Sequence, residues 1–149
     1  MNITQIRNAT QLITYAGKRF LVDPMLAPKG AYPGFPGTAH ADIRNPTVDL
    51  PVEVTTLLDA DAVIVTHTHD DHWDQTAIAQ IAKDKPMYVQ NDSDAALLRS
   101  QILLEAGNMP IERVAELVGF NSAVTWRQQF KARFGVSPAE WRRTFRTHS

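Results

Sequence analysis

Polar and apolar positions alternate with a period of two over Ile3–Arg7, Thr10–Tyr15 and Lys18–Val22. This pattern predicts three short strands, with Ala16-Gly17 as a tight hairpin connection. The alternation breaks from Pro24 to Pro51, a stretch holding six of the nine prolines and three of the seven glycines. It reads as a long loop with little regular structure, and a loop of that length is more often functional than accidental. Thr55–Leu58 predicts a helical turn. Ala62–Thr66 is a continuous apolar run suited to a buried strand, with Val63 and Val65 on one face and Ile64 on the other. A helix over Thr76–Ala82, a turn at Lys85-Pro86 and a strand over Met87–Gln90 follow. Asp94–Ala106 predicts a helix closed by Gly107-Asn108, with Ala95, Leu98, Ile102 and Leu103 on one face.

The period changes to that of helices in the last third. Pro110, read as the first helical residue, opens a segment with Ile111, Val114, Ala115 and Val118 on one face, ended by Gly119. Ser122 is a natural N-cap for a helix over Ala123–Phe134, whose apolar side carries Trp126, Phe130 and Phe134. Ser137-Pro138-Ala139-Glu140 is a capping box that starts a third helix. Three short helices with a glycine turn between the first two give a helix-turn-helix layout.

Composition adds limits. A hydrophobic content of 44% over 149 residues predicts folded structure, as one domain or two small ones. There are no cysteines, which excludes disulfides and thiolate metal sites. The N-terminus has no continuous apolar core, so no signal peptide or membrane span is expected, and a cytoplasmic protein is the simplest reading. The net charge of -1 hides an asymmetry: residues 1–101 hold 8 Lys/Arg against 12 Asp/Glu, and residues 102–149 hold 7 against 4. The basic tail suggests a polyanion partner for that segment.

Thr66-His67-Thr68-His69-Asp70-Asp71-His72 follows the buried strand and carries the candidate chemistry. Imidazole nitrogens with carboxylate oxygens suit zinc, and also manganese or iron. His67 and His69 can face one ion, and Asp71 and His72 can turn toward a second. A paired site would lower the pKa of a bridging water and supply hydroxide for hydrolysis. On these residues, with Phe20-Leu21-Val22-Asp23-Pro24 and the long loop, residues 1–101 resemble the opening part of a metallo-β-lactamase-fold hydrolase. The resemblance implies an α/β fold, a partial αββα sandwich. It also implies metal binding at His67, His69, Asp71 and His72, with Asp71 as the catalytic candidate. The family takes its remaining ligands from later segments. After His72 the one further histidine is His148, and His40 in the loop is a conceivable substitute. The resemblance therefore implies an incomplete dinuclear site, holding metal weakly with little turnover.

Residues 102–149 resemble the second helix-turn-helix of AraC-type transcription regulators. The resemblance rests on Ile111-Glu112-Arg113-Val114-Ala115, Gly119-Phe120-Asn121-Ser122, Phe130-Lys131, Gly135-Val136-Ser137-Pro138 and Trp141-Arg142. With the aromatics turned inward, Val124, Thr125 and Gln128 face outward, flanked by Arg127 and Lys131. Such residues on a recognition helix reach base edges in the major groove. Lys131, Arg133, Arg142 and Arg143 would contact phosphates. The two resemblances together imply a chimera joined near Gln101: an α/β segment followed by an all-α one. Duplex DNA is the expected partner, and a homo-oligomer is also possible on this reading. DNA binding is the leading expectation, with a metal-dependent hydrolase as the alternative.

Overall fold

Short alternating segments separated by two-residue turns can close only as neighbours, and they form a meander. The computed structural model describes residues 1–146. β1 (Asn2–Arg7), β2 (Thr10–Tyr15) and β3 (Lys18–Val22) pair antiparallel, with Ile3 opposite Ile13 and Ile13 opposite Phe20. The Ala16-Gly17 turn has φ of 50° and 76°, both in the left-handed region that a tight hairpin requires. β4 (Ala62–Val65) adds parallel to β3, and β5 (Met87–Val89) adds parallel to β4. The result is a mixed five-stranded sheet in the order β1-β2-β3-β4-β5. Parallel neighbours need crossovers. The long loop with α1 (Val54–Leu58) supplies the first, and α2 (Gln75–Gln80) supplies the second.

One face of this sheet is closed and the other is open. Leu21, Val63 and Val65 are buried, whereas Ile13, Phe20 and Ile64 on the opposite face are half-buried, and Tyr15 and Tyr88 there are exposed. A cavity of about 260 Å³ lies on the open face among Met1, Ile13, Tyr15, Phe20 and Ile64.

β4 ends at Val65, one residue earlier than the apolar run predicts. The reason is local: the Thr66 N–H donates to Asp23 Oδ1 at 2.7 Å, so a side chain takes the place of the next ladder bond. The Pro24–Pro51 segment is more ordered than its composition suggests. Tyr32 and Asn45 exchange two backbone hydrogen bonds of 2.7 and 2.9 Å. Arg7, nearly fully buried, donates to the carbonyls of Met25 (2.6 Å), Ala27 (2.7 Å) and Val48 (3.0 Å). The loop is thus strapped to the end of β1.

Residues 1–90 form one compact unit and residues 91–149 a second. The second contains α3 (Asp92–Ala106), α4 (Ile111–Leu117), α5 (Ala123–Phe134) and α6 (Pro138–Arg146). Gln101, where the sequence suggested a junction, is a buried residue inside α3. α3 starts two residues earlier than expected because Asn91 caps it, accepting from the Asp94 N–H at 2.8 Å. Pro110 is the N-cap of α4 rather than its first residue. Trp126 and Phe130 are fully buried, and the Trp126 Nε1–H donates to Ser100 Oγ at 2.8 Å. The capping box forms: the Ser137 N–H donates to Glu140 Oε2 (2.8 Å) and the Glu140 N–H to Ser137 Oγ (3.3 Å). His148 lies outside the described residues.

Candidate metal centre

The chain leaves β4 and turns at once, because the amides of both His72 (2.9 Å) and Trp73 (2.8 Å) donate back to the His69 carbonyl. Trp73 and Asp74, both buried, anchor the far end of this turn. Asp74 caps α2 by accepting from the Ala77 N–H at 2.7 Å, and it accepts from the Ala27 N–H at the same distance. One carboxylate therefore fixes the ligand turn and the start of the long loop together. Burial raises the Asp74 carboxyl above the usual range, opposed by its amide hydrogen bonds and by the Arg7 charge.

Between these anchors His67, His69 and Asp71 converge. One ligand atom from each lies within 4.8 Å of the others. The His67 ring centroid is 4.9 Å from that of His69 and 3.6 Å from that of His72. Desolvation, then the neighbouring His72 and His69, lower the His67 pKa, which favours the neutral imidazole that can bind a metal. Partial desolvation, then the Asp71 charge, raise the Asp70 carboxyl.

His72 stands beside this group rather than in it. Its Nδ1 lies 2.9 Å from Asp23 Oδ2, and its Nε2 lies 3.6 Å from Asp71 Oδ2. The first-ion pairing of His67 with His69 is geometrically close, and Asp71 lies both with that pair and 3.6 Å from His72. His40 is exposed and is not in the group.

Asp23, which entered the sequence reading only as part of a strand end, is a supporting residue of the site that was not foreseen. It is buried, sits at φ 45°, and accepts from the Thr66 N–H, the Thr66 hydroxyl and His72. A non-glycine residue at positive φ is strained and persists only where its surroundings hold it. Here the Thr10 hydroxyl donates to the Asp23 carbonyl at 2.7 Å, and the Asp23 N–H donates to the Ile64 carbonyl at 2.8 Å. The available signal was its position, directly after β3 and before a proline. Tyr32 and Arg7 were also missed, because only the folded loop brings them near the turn. The Tyr32 phenol is pushed up to about 12, by desolvation first and by Asp74 next.

The residues expected to read DNA are arranged differently from a free basic face. Val124, Thr125 and Gln128 are exposed on α5, but Arg127 is ion-paired with Glu112. Arg133 pairs with Asp94 at 3.6 Å, the Glu140 carboxyl is lowered chiefly by its Ser137 hydrogen bonds and in smaller part by Lys131, and Arg142 is half-buried. Acidic partners answer part of the positive charge that the sequence counted as available for phosphates.

The Beta-lactamase superfamily domain matches residues 2–133, and the chain belongs to that superfamily. It is 55% identical over 96 residues to the UPF0173 protein YddR of Bacillus subtilis (strain 168), covering 64% of this chain and 38% of that one. It is 31% identical over 83 residues to the N-acyl-phosphatidylethanolamine-hydrolyzing phospholipase D 1 of Caenorhabditis elegans, covering 56% of this chain and 22% of the relative. Among solved structures it resembles the isothiocyanate hydrolase from Delia radicum gut bacteria, at 58% identity and a TM-score of 0.65 over 67% of this chain and 38% of that one. A possible metal-dependent hydrolase from Veillonella parvula DSM 2008 is similar at 52% identity and a TM-score of 0.64, over 66% of this chain and 38% of the other. The chain thus spans less than two fifths of the length of each of these relatives.

These findings correct the leading expectation. The superfamily match runs through α3, α4 and most of α5, across the expected junction near Gln101, and so gives no support to a chimera or an AraC-type segment. Three of these four relatives are named as hydrolases or as a possible one, so DNA binding through Val124, Thr125, Arg127, Gln128, Lys131 and Arg142, with duplex DNA as partner, is overturned. The hydrolase alternative fits instead, and the family and ligand group point to a metal cofactor. Among the described residues no helix is long and apolar enough to cross a membrane.

Proposed function

We propose that this chain supplies the metal-binding turn of a metal-dependent hydrolase, with the machinery in the unit formed by residues 1–90. The observation that carries the reading is the convergence of His67, His69 and Asp71 within 4.8 Å. Two imidazoles and a carboxylate on a turn braced by Asp23 and Asp74 fit a divalent ion, zinc being the best match to that donor set. An ion held there would polarise an electrophile and acidify water for hydrolysis.

The chain's own residues do the rest. Desolvation, then the neighbouring His72 and His69, favour the neutral, ligating form of His67. Asp23 accepts the His72 Nδ1–H and so leaves the Nε2 lone pair of His72 on the Asp71 side. Asp71 also lines a cavity, and the carboxylate oxygen it does not offer to the ion would serve to accept a proton from water. A small electrophile such as an isothiocyanate, the class named for the solved neighbour, is the first substrate to test.

The test is elemental analysis of the purified chain after zinc loading and gel filtration, beside hydrolysis of a small isothiocyanate. Retained zinc that His69→Ala abolishes supports the reading. A chain that keeps no zinc, manganese or iron overturns it.

A further inference from the structure

The ligand group opens on a built cavity whose remaining walls the metal reading does not use. It measures about 190 Å³ and lies between the Pro24–Pro51 loop and the Asp70-Asp71 turn. Asp70, Asp71 and Asn45 line it together with Met25, Tyr32 and Phe35, and Pro33, Gly34 and Pro36 complete it. Met25 is buried and Phe35 is half exposed.

Three features make this more than a gap under a loop. The loop is held in shape by the paired backbone bonds of Tyr32 with Asn45, and by Arg44, which donates to the carbonyls of Gly30 (2.6 Å) and Ala31 (3.0 Å). Gly34 sits so close to the returning loop backbone that an added Cβ would lie 2.3 Å from the Ala41 carbonyl oxygen. The lining also contains no lysine or arginine, while it includes the two carboxylates of the adjoining Asp70 and Asp71. An anionic group is therefore repelled, and a neutral apolar group is the occupant the walls suit.

Size narrows this further, since an apolar cavity of about 150 Å³ accommodates benzene. We propose that this cavity is the subsite for the neutral, apolar substituent of the substrate, sized for one phenyl ring or a comparable alkyl group. Tyr32 and Phe35 are its specificity-determining residues. The inference rests on the hydrolase reading only in taking the Asp71 end as the side of the reacting carbon. It says that the substrate is a neutral electrophile carrying one compact apolar arm.

The experiment is a titration of the 149-residue chain with benzyl alcohol and, separately, with benzoate, followed by NMR of methionine methyl and aromatic resonances. It is run on zinc-loaded and on chelator-stripped protein. Benzyl alcohol should shift the Met25, Tyr32 and Phe35 signals in both states, and benzoate should leave them unmoved in the stripped protein. Phe35→Ala should weaken benzyl alcohol binding by at least about five-fold, as loss of a half-buried ring implies. Phe35→Leu should retain most of it. Tyr15→Ala, at the separate cavity on the open sheet face, should change nothing. Shifts confined to Met1, Tyr15 and Phe20, binding indifferent to Phe35→Ala, or benzoate binding as well as benzyl alcohol in stripped protein would each overturn the subsite. Failure of zinc to bind while benzyl alcohol still shifts Met25 would remove the hydrolase reading and leave the pocket standing.

Discussion

Asp23 and His72 are joined by a hydrogen bond of 2.9 Å across 49 residues of chain. The carboxylate can only accept, so His72 Nδ1 donates and its tautomer is set. The same carboxylate takes both the amide and the hydroxyl of Thr66, the residue that opens the ligand turn. One buried side chain therefore decides where β4 stops, how the turn begins and which nitrogen of His72 keeps its lone pair.

Asp23→Asn follows directly from this arrangement. Asparagine tolerates the positive φ, so the backbone should hold. Its amide group can satisfy the donors around it only in part. The Thr66 bonds that start the ligand turn should loosen, so zinc affinity at His67, His69 and Asp71 should fall by about 10-fold, the lower end of what losing an outer support of a metal site costs. Competition against a chelating dye measures it, and unchanged affinity would show that Asp23 supports the fold alone.

The sheet was legible because alternation and turn residues are local signals. Thr10–Tyr15, Lys18–Val22 and the helix over Ala123–Phe134 form as the pattern predicts. The His-x-His-x-Asp-His turn was equally legible, since its residues are contiguous. What the sequence hid is what the fold assembles at a distance. Asp23 beside His72, Arg7 beneath the loop and Tyr32 near Asp74 have no periodicity to announce them. The tail misled for a related reason. Counting Arg127 as free charge ignores Glu112, which lies 15 residues away in sequence and pairs with it in the fold.

Arg7→Met should be the most damaging single change in the first unit. The arginine satisfies three carbonyls, at Met25, Ala27 and Val48, and methionine satisfies none. Each buried carbonyl left without a donor costs about 1–3 kcal/mol, so a loss of about 3 kcal/mol or more is expected. Urea unfolding monitored by circular dichroism reads it. A change below about 1 kcal/mol would show that water replaces the guanidinium at little cost.

Gly34→Ala tests the loop rather than the core. Its Cβ would meet the Ala41 and Ile43 carbonyl oxygens at 2.3 and 2.5 Å, both backbone atoms that cannot swing aside. The loop must open locally, and the sheet, whose strands lie elsewhere, should be spared. Limited proteolysis should cut faster between Pro24 and Pro51, with the unfolding midpoint nearly unchanged. Wild-type resistance in the variant would mean that the loop has room the structure does not show.

Tyr32 gives a pH signature with a definite sign. Its phenol is pushed up to about 12 from an ordinary value of 10.0, by desolvation first and by the Asp74 charge next, with hydrogen bonds from the Gln75 backbone and the Thr76 side chain acting the other way. A group whose folded pKa is raised binds its proton more tightly in the folded state. Its contribution to stability is therefore complete below pH 10.0 and is lost as pH rises toward about 12. Tyr32→Phe removes both the ionisation and this dependence. Subtracting the tyrosinate absorbance titration of the variant from that of the wild type should isolate one ionisation centred near pH 12. Over the same window the wild type should lose its stability relative to the variant. A difference curve centred near pH 10.0 would place the phenol in open solvent, and the loop wall beside Asp70 would not be where the structure puts it.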